Sequence, residues 1–364
     1  MKTNSPLITP ISSGSVTASE LVGGKQNSSA FKIRVVLPYF GTLPSTFRFW
    51  LSSCRFNQSI DWLVVTDADF SAFEGGTNIS FVRMTFAELK ERIQKCFPFP
   101  ISLDRPYKLC DFKIFYGLIW KDYLEGYDFW GYCDCDLVFG DIRKFVTDKV
   151  LAGCDKYLGH GHFSLIKTSN SSLQAIIEMT RSRGKFDYRY VLSHPEAFGF
   201  DEYDHYGITY TYLKQKPDYF ESGYDHGWTV FDEVDMYVSH FRDVIKDPPW
   251  RNRSVIYRFC DGTLERVFIE NDEVKFEETL YVHLITRRMS DHADSIERFL
   301  IVPDSFLPRA ESLDGEFLAK YGIRFWDKRR LRLMKWQLRA WLRFGLMRAL
   351  AKMGFKPGKK KSPR

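Results

Sequence analysis

Apolar residues in this chain fall into short unbroken runs separated by stretches of helical spacing. The run Lys32–Gly41 reads as a buried strand closed by Pro38 and Gly41. Thr42–Phe56 carries Phe47, Trp50 and Leu51 at helical spacing, Ile60–Val65 reads as a second apolar strand ending at Thr66 and Asp67, and Ile79–Met84 as a third. This alternation predicts an α/β fold with a mainly parallel central sheet and helices on both faces, and such sheets bind ligands at the carboxyl ends of their strands. Asp104–Pro106 predicts a helix start, with Leu109, Phe112, Tyr116 and Ile119 forming its apolar stripe. That stripe leaves Lys108 and Asp111 as neighbours at i and i+3, which on pattern alone is a surface ion pair. Further on, Leu158–Lys167 reads as one strand carrying His160 and His162 on a shared face, and Ser171–Arg183 as a helix. Phe198–Val238 is Tyr-, Asp- and Gly-rich with weak periodicity, the pattern of a functional loop. A hairpin around Asn271 and Asp272 and a short strand Leu280–Leu284, running to His283, Arg287 and Arg288, complete the pattern.

The chemistry concentrates at Tyr127–Asp141, an aromatic and apolar run that ends in Asp134-Cys135-Asp136 and turns at Gly140. If Trp130–Asp136 is a strand, Asp134 and Asp136 share one face and Cys133 and Cys135 the other. Two carboxylates on one edge call for a cation, and oxygen ligands suit Mg²⁺ or Mn²⁺ held jointly with phosphate oxygens. An acidic turn is the simpler alternative. Tyr39, Phe40, Asp67 and the D-x-D all fall at predicted strand ends, and this convergence favours the site. Cys133 and Cys135 resemble half of a soft-metal site, but no second pair follows at zinc spacing.

Composition supports a sizeable core, with 44% hydrophobic residues. The net charge of +6 is unevenly placed. Residues 328–364 hold 14 of the 52 Lys and Arg and no acid, which leaves 38 bases against 46 acids in the rest. An acidic body with a basic tail is not the pattern of a nucleic-acid binder. Seven scattered cysteines suggest a reducing compartment rather than a disulfide framework. No apolar run is long enough to span a membrane, and residues 1–30, rich in Ser, Thr, Gly and Asn, read as a disordered segment without a secretory signal. Trp326–Met353 has Leu331, Met334, Leu338, Trp341, Leu342 and Ala349 on one side and Lys335, Arg339 and Arg343 in a row on another. That is the pattern of an amphipathic basic helix lying on an anionic membrane surface, with docking onto the acidic body as the alternative. The expected division is therefore 1–30, 31–325 and 326–364.

With the strand ends, the D-x-D and the late His-Leu-x-x-Arg-Arg segment in this order, the chain resembles the GT-A glycosyltransferases. More narrowly, Arg105–Lys113, Trp130–Asp136, Phe200–Glu202 and Tyr281–Leu284 resemble a bacterial family associated with capsule and surface-polysaccharide synthesis, over roughly Lys32–Arg288. The resemblance implies a Rossmann-like, nucleotide-sugar-binding fold and transfer of a sugar from a nucleotide donor, a UDP-sugar first among them, to a glycan or lipid-linked glycan. It implies a site for Mn²⁺ or Mg²⁺ made by Asp134, Asp136 and His283, with Asp136 and His283 on the ion and Asp134 on a metal-bound water or the donor ribose. Pro38, Tyr39, Phe40 and Asp67 would hold base and ribose, Lys108 and Asp111 would lie beside the D-x-D, and Arg287 or Arg288 would reach the diphosphate. Asp201 or Glu202 would supply the catalytic base, with Asp232 and Glu233 as a rival pair. His160 and His162 would be donor or acceptor contacts or core histidines. The expected location is cytoplasmic, peripheral at the inner face of the cell membrane. A metal-dependent phosphoesterase or nucleotidyltransferase, or a non-catalytic membrane-surface binding protein, would use the same features differently.

Overall fold

The computed structural model describes residues 31–73, 76–169, 187–201, 231–233, 254–284 and 288–322. The basic segment 326–364, the predicted helix 171–183 and most of the irregular region 198–238 lie outside the described residues. Strands β1 (Ile33–Tyr39), β2 (Ile60–Thr66), β3 (Ile79–Arg83) and β4 (Phe129–Cys133) pair in parallel in the order β3-β2-β1-β4. The β-branched and aromatic runs of β1, β2 and β4 are buried because inner parallel strands are covered on both faces, while the edge strand β3 is half-buried. β5 (Leu137–Phe139) departs from this sheet, while β6 (Lys156–His160) and β7 (Phe163–Lys167) extend it beyond β4 as an antiparallel pair. The stretch expected as one strand over Leu158–Lys167 is thus a hairpin. The chain reverses at Gly161 and His162, between the paired His160 and Phe163; within β6 the register is irregular between Tyr157 and His160, where Leu158 is left-handed, φ 60°, and Lys156 Nζ donates to the Leu158 carbonyl at 2.5 Å.

β8 (Phe231–Glu233) belongs to a small sheet of its own. A second six-stranded sheet, which the sequence pattern indicated only at its hairpin, follows. It contains β9 (Ile256–Cys260), β10 (Thr263–Glu270) and β11 (Glu273–Glu278), then, after β12 (Tyr281–His283), β13 (Ser290–Asp291), β14 (Arg298–Val302) and β15 (Ser305–Pro308). The β10–β11 turn rests on Asn271 and Asp272, both at positive φ, the conformation such a two-residue turn requires. β12 joins the small sheet, pairing antiparallel with β5 and parallel with β8.

Helix α1 (Phe47–Phe56) is the layer between the two large sheets. Phe47, Trp50, Leu51 and Cys54 pack into the first core, while Phe49 turns away to stack on Phe306 at 3.9 Å and contact Phe299 at 4.7 Å. α2 (Phe86–Lys95) starts at a capping box, in which Glu88 N–H donates to Thr85 Oγ1 and Thr85 N–H to Glu88 Oε2, and it buries Leu89 and Ile93. Between α2 and β4 the expected α-helix is instead a 3₁₀ helix over Pro106–Phe115, continued by one α-turn, α3 (Tyr116–Ile119). At three residues per turn, positions i and i+3 align, so Leu109, Phe112 and Phe115 share one line and Lys108 and Asp111 another. Most of this helix is buried, and the charged line faces protein, which overturns the reading of a solvent-facing pair.

Gly131, in the middle of β4, tests how tightly the sheet closes. A Cβ there would sit 2.5 Å from the Ser164 carbonyl oxygen and 2.6 Å from Leu165 on β7. Because one of these neighbours is backbone, Gly131→Ala is expected to lower stability by about 1–3 kcal/mol through overpacking. Urea denaturation of the purified variant should show the lower midpoint, and an unchanged midpoint would mean that β4 and β7 do not pack this closely.

Candidate functional site

The D-x-D lies at the carboxyl edge of the parallel sheet, in the bend that follows β4 rather than in the strand itself. Alternating burial persists through it, with Cys133 and Cys135 inward and the two carboxylates half-exposed. Backbone bonds fix both ends: Asp134 N–H donates to the His162 carbonyl and Leu284 N–H to the Asp136 carbonyl, each at 2.9 Å. Further along, buried Asn57 donates to the Gly140 carbonyl and accepts from Ile142 N–H, while a side chain at Gly140 would meet the Thr279 carbonyl at 2.6 Å. These constraints hold β5 against β12, with Leu137 opposite His283.

His283 Nε2 consequently lies 3.5 Å from Asp136 Oδ2. The His162 ring stacks on His283 at 4.2 Å, brought there by the β6–β7 turn. Asp136 Oδ1 is buried and finds no hydrogen-bond partner among the described residues. The Tyr39 hydroxyl belongs to the same edge: burial raises its pKa, and Cys135 and Asp136 raise it further.

Asp134 faces a different group. Lys113, on the 3₁₀ helix, places Nζ 2.7 Å from Asp134 Oδ1, 3.2 Å from Asp201 Oδ2 and 2.7 Å from the Gly161 carbonyl oxygen. Lys113 and Asp201 are buried. One ammonium serves two carboxylates. Burial alone would lower the Lys113 pKa, but Asp134 and Asp201 outweigh it and hold the value well above the usual lysine range. Asp201 responds in the opposite sense. Its desolvation exceeds the help it receives from Lys113, Asp134 and Asp111 repel its charge, and its pKa is pushed up to about 6. Its Oδ1 also lacks a partner among the described residues.

Of the sequence-predicted residues, the structure therefore brings together Asp136, His283 and Tyr39 on one side, and Asp134 and Asp201 on the other. Asp67 is exposed at the end of β2 and accepts from Gly41 N–H at 2.7 Å, tying the ends of β1 and β2 together; Gly41, φ 99°, allows the turn. Pro38 is half-buried within β1, and the Phe40 ring is buried against Phe86 at 5.5 Å, so it lines the core beneath the edge. Lys108 and Asp111 are fully buried behind the site, and both heads are engaged by protein groups. Arg288 is exposed. Glu202, Arg287 and the side chains of His160, Asp232 and Glu233 lie outside the described residues. Lys113 is the site residue that pattern alone did not single out. Its only signal was a lysine flanked by Phe112 and Ile114 in an otherwise apolar line.

For a divalent cation, the described residues offer two ligands, an orphaned carboxylate oxygen on Asp136 and the His283 imidazole. Among the described residues no cluster of three or more His, Cys, Asp or Glu is close enough to form a complete site. Two protein ligands fit an ion that draws its remaining oxygens from a bound phosphate.

The raised Asp201 pKa has a thermodynamic signature. The folded state binds this proton more tightly than the unfolded chain, so the contribution to stability is present below the ordinary value of 3.8 and is lost as pH rises through about 6. Asp201→Asn removes the titration. Urea midpoints measured between about pH 4 and pH 7 should show the wild type losing stability relative to Asp201→Asn as pH rises. Parallel curves would mean that Asp201 does not carry the shift.

No curated protein matches this sequence. Solved structures similar to it include the galactosyltransferase LgtC in complex with donor and acceptor sugar analogs, at 14% identity and TM-score 0.29, over 44% of this chain and 66% of that one. Another is the apo form of the glycosyltransferase GlyE from Streptococcus pneumoniae TIGR4, at 14% identity and TM-score 0.27, over 44% of this chain and 42% of that one. Mouse xyloside xylosyltransferase 1 is similar at 10% identity and TM-score 0.31, over 51% and 83%. The chain thus spans slightly under two thirds of the first neighbour and less than half of the second. All three neighbours are glycosyltransferases, and the likeness to each is partial in length and loose in geometry. Residues 35–310 match the family described as "Family of unknown function (DUF6625)", and the chain belongs to that family.

Proposed function

We propose that the protein is a metal-dependent glycosyltransferase that moves a sugar from a nucleotide donor, a UDP-sugar first among them, to a glycan or lipid-linked glycan of the cell surface. The observation that carries this reading is the Asp136–His283 pair at the carboxyl edge of the parallel sheet, with a buried carboxylate oxygen that has no partner among the described residues. That edge is where α/β folds receive nucleotides. Asp136 and His283 would hold Mn²⁺ or Mg²⁺. When bound, the ion supplies positive charge that offsets the charge gathering on the departing diphosphate. Tyr39 and Asp67, at the ends of β1 and β2, would border the nucleoside, and Asp134 would contact the donor ribose. Lys113 holds Asp134 and Asp201 close by offsetting part of their mutual repulsion. Asp201, whose pKa of about 6 leaves it largely ionised at neutral pH, is the carboxylate that would take the acceptor hydroxyl proton.

Incubation with UDP-, GDP-, CMP- and dTDP-sugars in Mn²⁺ or Mg²⁺ tests the reading. Metal-dependent nucleotide release is expected from at least one donor, reduced on the order of 100-fold or more by Asp136→Ala. A folded wild type that releases nucleotide from none of them would overturn it.

The basic segment beyond the described residues would bring the enzyme to an anionic membrane surface, where lipid-linked acceptors reside, with each Lys or Arg near the leaflet contributing about 1 kcal/mol. Among the described residues no helix is long and apolar enough to cross a membrane. Deleting residues 327–364 should release the protein from phosphatidylserine-containing vesicles in co-sedimentation and leave nucleotide release from soluble donors intact. Equal sedimentation of the deleted and full-length chains would remove the membrane role from this segment.

A further inference from the structure

Behind the carboxylate cluster lies a polar constellation that the proposed chemistry does not use. Lys108 Nζ has three acceptors, Asp111 Oδ2 at 2.6 Å, the Val191 carbonyl oxygen at 2.8 Å and the Glu196 carbonyl oxygen at 2.6 Å, which saturate its three donors. Asp111 in turn accepts from Phe198 N–H at 3.0 Å and Phe200 N–H at 2.9 Å. These two amides converge on one carboxylate because Gly199, between them, is left-handed at φ 62°. Both charged side chains are 1% exposed or less. The residue that follows this twice-anchored stretch is Asp201.

We propose that Lys108 and Asp111 are a positioning pair that seats the segment from Val191 to Asp201 and so sets the Asp201 carboxylate against Lys113 and Asp134. Both heads are engaged by protein groups. The pair acts through the backbone it holds, and the 3₁₀ pitch lets one helix do two things: its Lys108–Asp111 line grips the segment, and Lys113, on a different line, receives the carboxylate at the segment's end. A misplacement of about 1 Å at a reacting group is enough to cost on the order of 100-fold in rate, so a rigid seat has catalytic value. This catalytic part rests on the proposed transferase reading; the seating part does not.

Cys110 provides a reporter independent of activity. Its Sγ lies 3.8 Å from Asp111 Oδ1, and burial, followed by the charges of Asp201 and Asp111, holds its thiol well above the usual cysteine range. In the full-length protein, labelling by a maleimide, resolved cysteine by cysteine by mass spectrometry, should be slow at Cys110. It should speed up by about tenfold or more in Asp111→Asn and Lys108→Met, in keeping with access and thiolate character setting thiol reactivity. Buried Cys54 and Cys133 should stay unreactive and so report an intact fold. Gly199→Ala leaves both charges in place and strains only the turn, so it carries the test if the charge variants fail to fold.

With a donor that the wild type turns over, the folded variants should lose kcat by about tenfold or more while the donor KM stays within about twofold. Unchanged Cys110 labelling in every folded variant would overturn the seat. Faster labelling with unchanged kcat would overturn the catalytic role, and a raised donor KM with unchanged kcat would assign the pair to donor binding instead. If the wild type turns over no donor, the transferase reading falls and takes the catalytic part with it, while the labelling still decides the seat.

Discussion

Charge compensation at a buried sheet edge is the constraint on which this structure turns. Asp111 and Asp201 are buried and half-exposed Asp134 lies beside them, and an uncompensated buried carboxylate is expensive enough to unseat a loop. The compensation comes from one short helix, whose Lys108 neutralises Asp111 and whose Lys113 is shared by Asp134 and Asp201. Removing one partner of such a pair costs about 3–5 kcal/mol, because the other is left charged and dry. The 3₁₀ helix is therefore more than a connection between α2 and β4, since the loop with Asp201 and the bend with Asp134 are both referenced to it.

The other half of the site is built by pairing rather than by charge. β12 lies far downstream of the D-x-D, yet its antiparallel match to β5 and the Asp136 carbonyl bond to Leu284 N–H leave His283 a single place to go. Packing removes the remaining freedom. Asn57, at the end of α1, clamps Gly140 at the far end of β5, and the β6–β7 turn presents His162 as a flat neighbour for the imidazole. α1 serves both sheets, through Trp50 on one side and Phe49 on the other, so the edge that carries the site is braced by the second sheet as well as the first.

Much of this was legible in the residues. β1 and β2 were visible because doubly covered parallel strands must be apolar along nearly their whole length, and the Asn271–Asp272 turn because few other dipeptides accept two left-handed residues. Asp136 and His283 were visible as polar residues at strand ends. Lys113 was not, because its role depends on a carboxylate far downstream and on a helical pitch that apolar spacing did not distinguish from an α-helix. The hairpin over 156–167 was missed for a similar reason. Its turn takes only Gly161 and His162, inside a stretch whose alternation reads as continuous, and the buried Lys156 that holds the Leu158 carbonyl reads as a surface residue until the fold encloses it. The short strands β13 to β15 lack the length over which alternation becomes recognisable.

Each half of the site leaves a carboxylate oxygen without a partner among the described residues, on Asp136 and on Asp201, but only one half has a lysine of its own, and that difference gives the edge a direction. Around Asp134 and Asp201 the protein supplies its own cation, so that side is held in shape by its own charges. Around Asp136 the described residues supply an acceptor oxygen without a donor and an imidazole beside it, a demand that a divalent ion brought with a diphosphate would meet. On the proposed reading the reacting sugar would then extend from the side that imports charge toward the side that Lys113 already partly compensates. There Asp201, its pKa pushed up to about 6, would be the carboxylate that takes the proton.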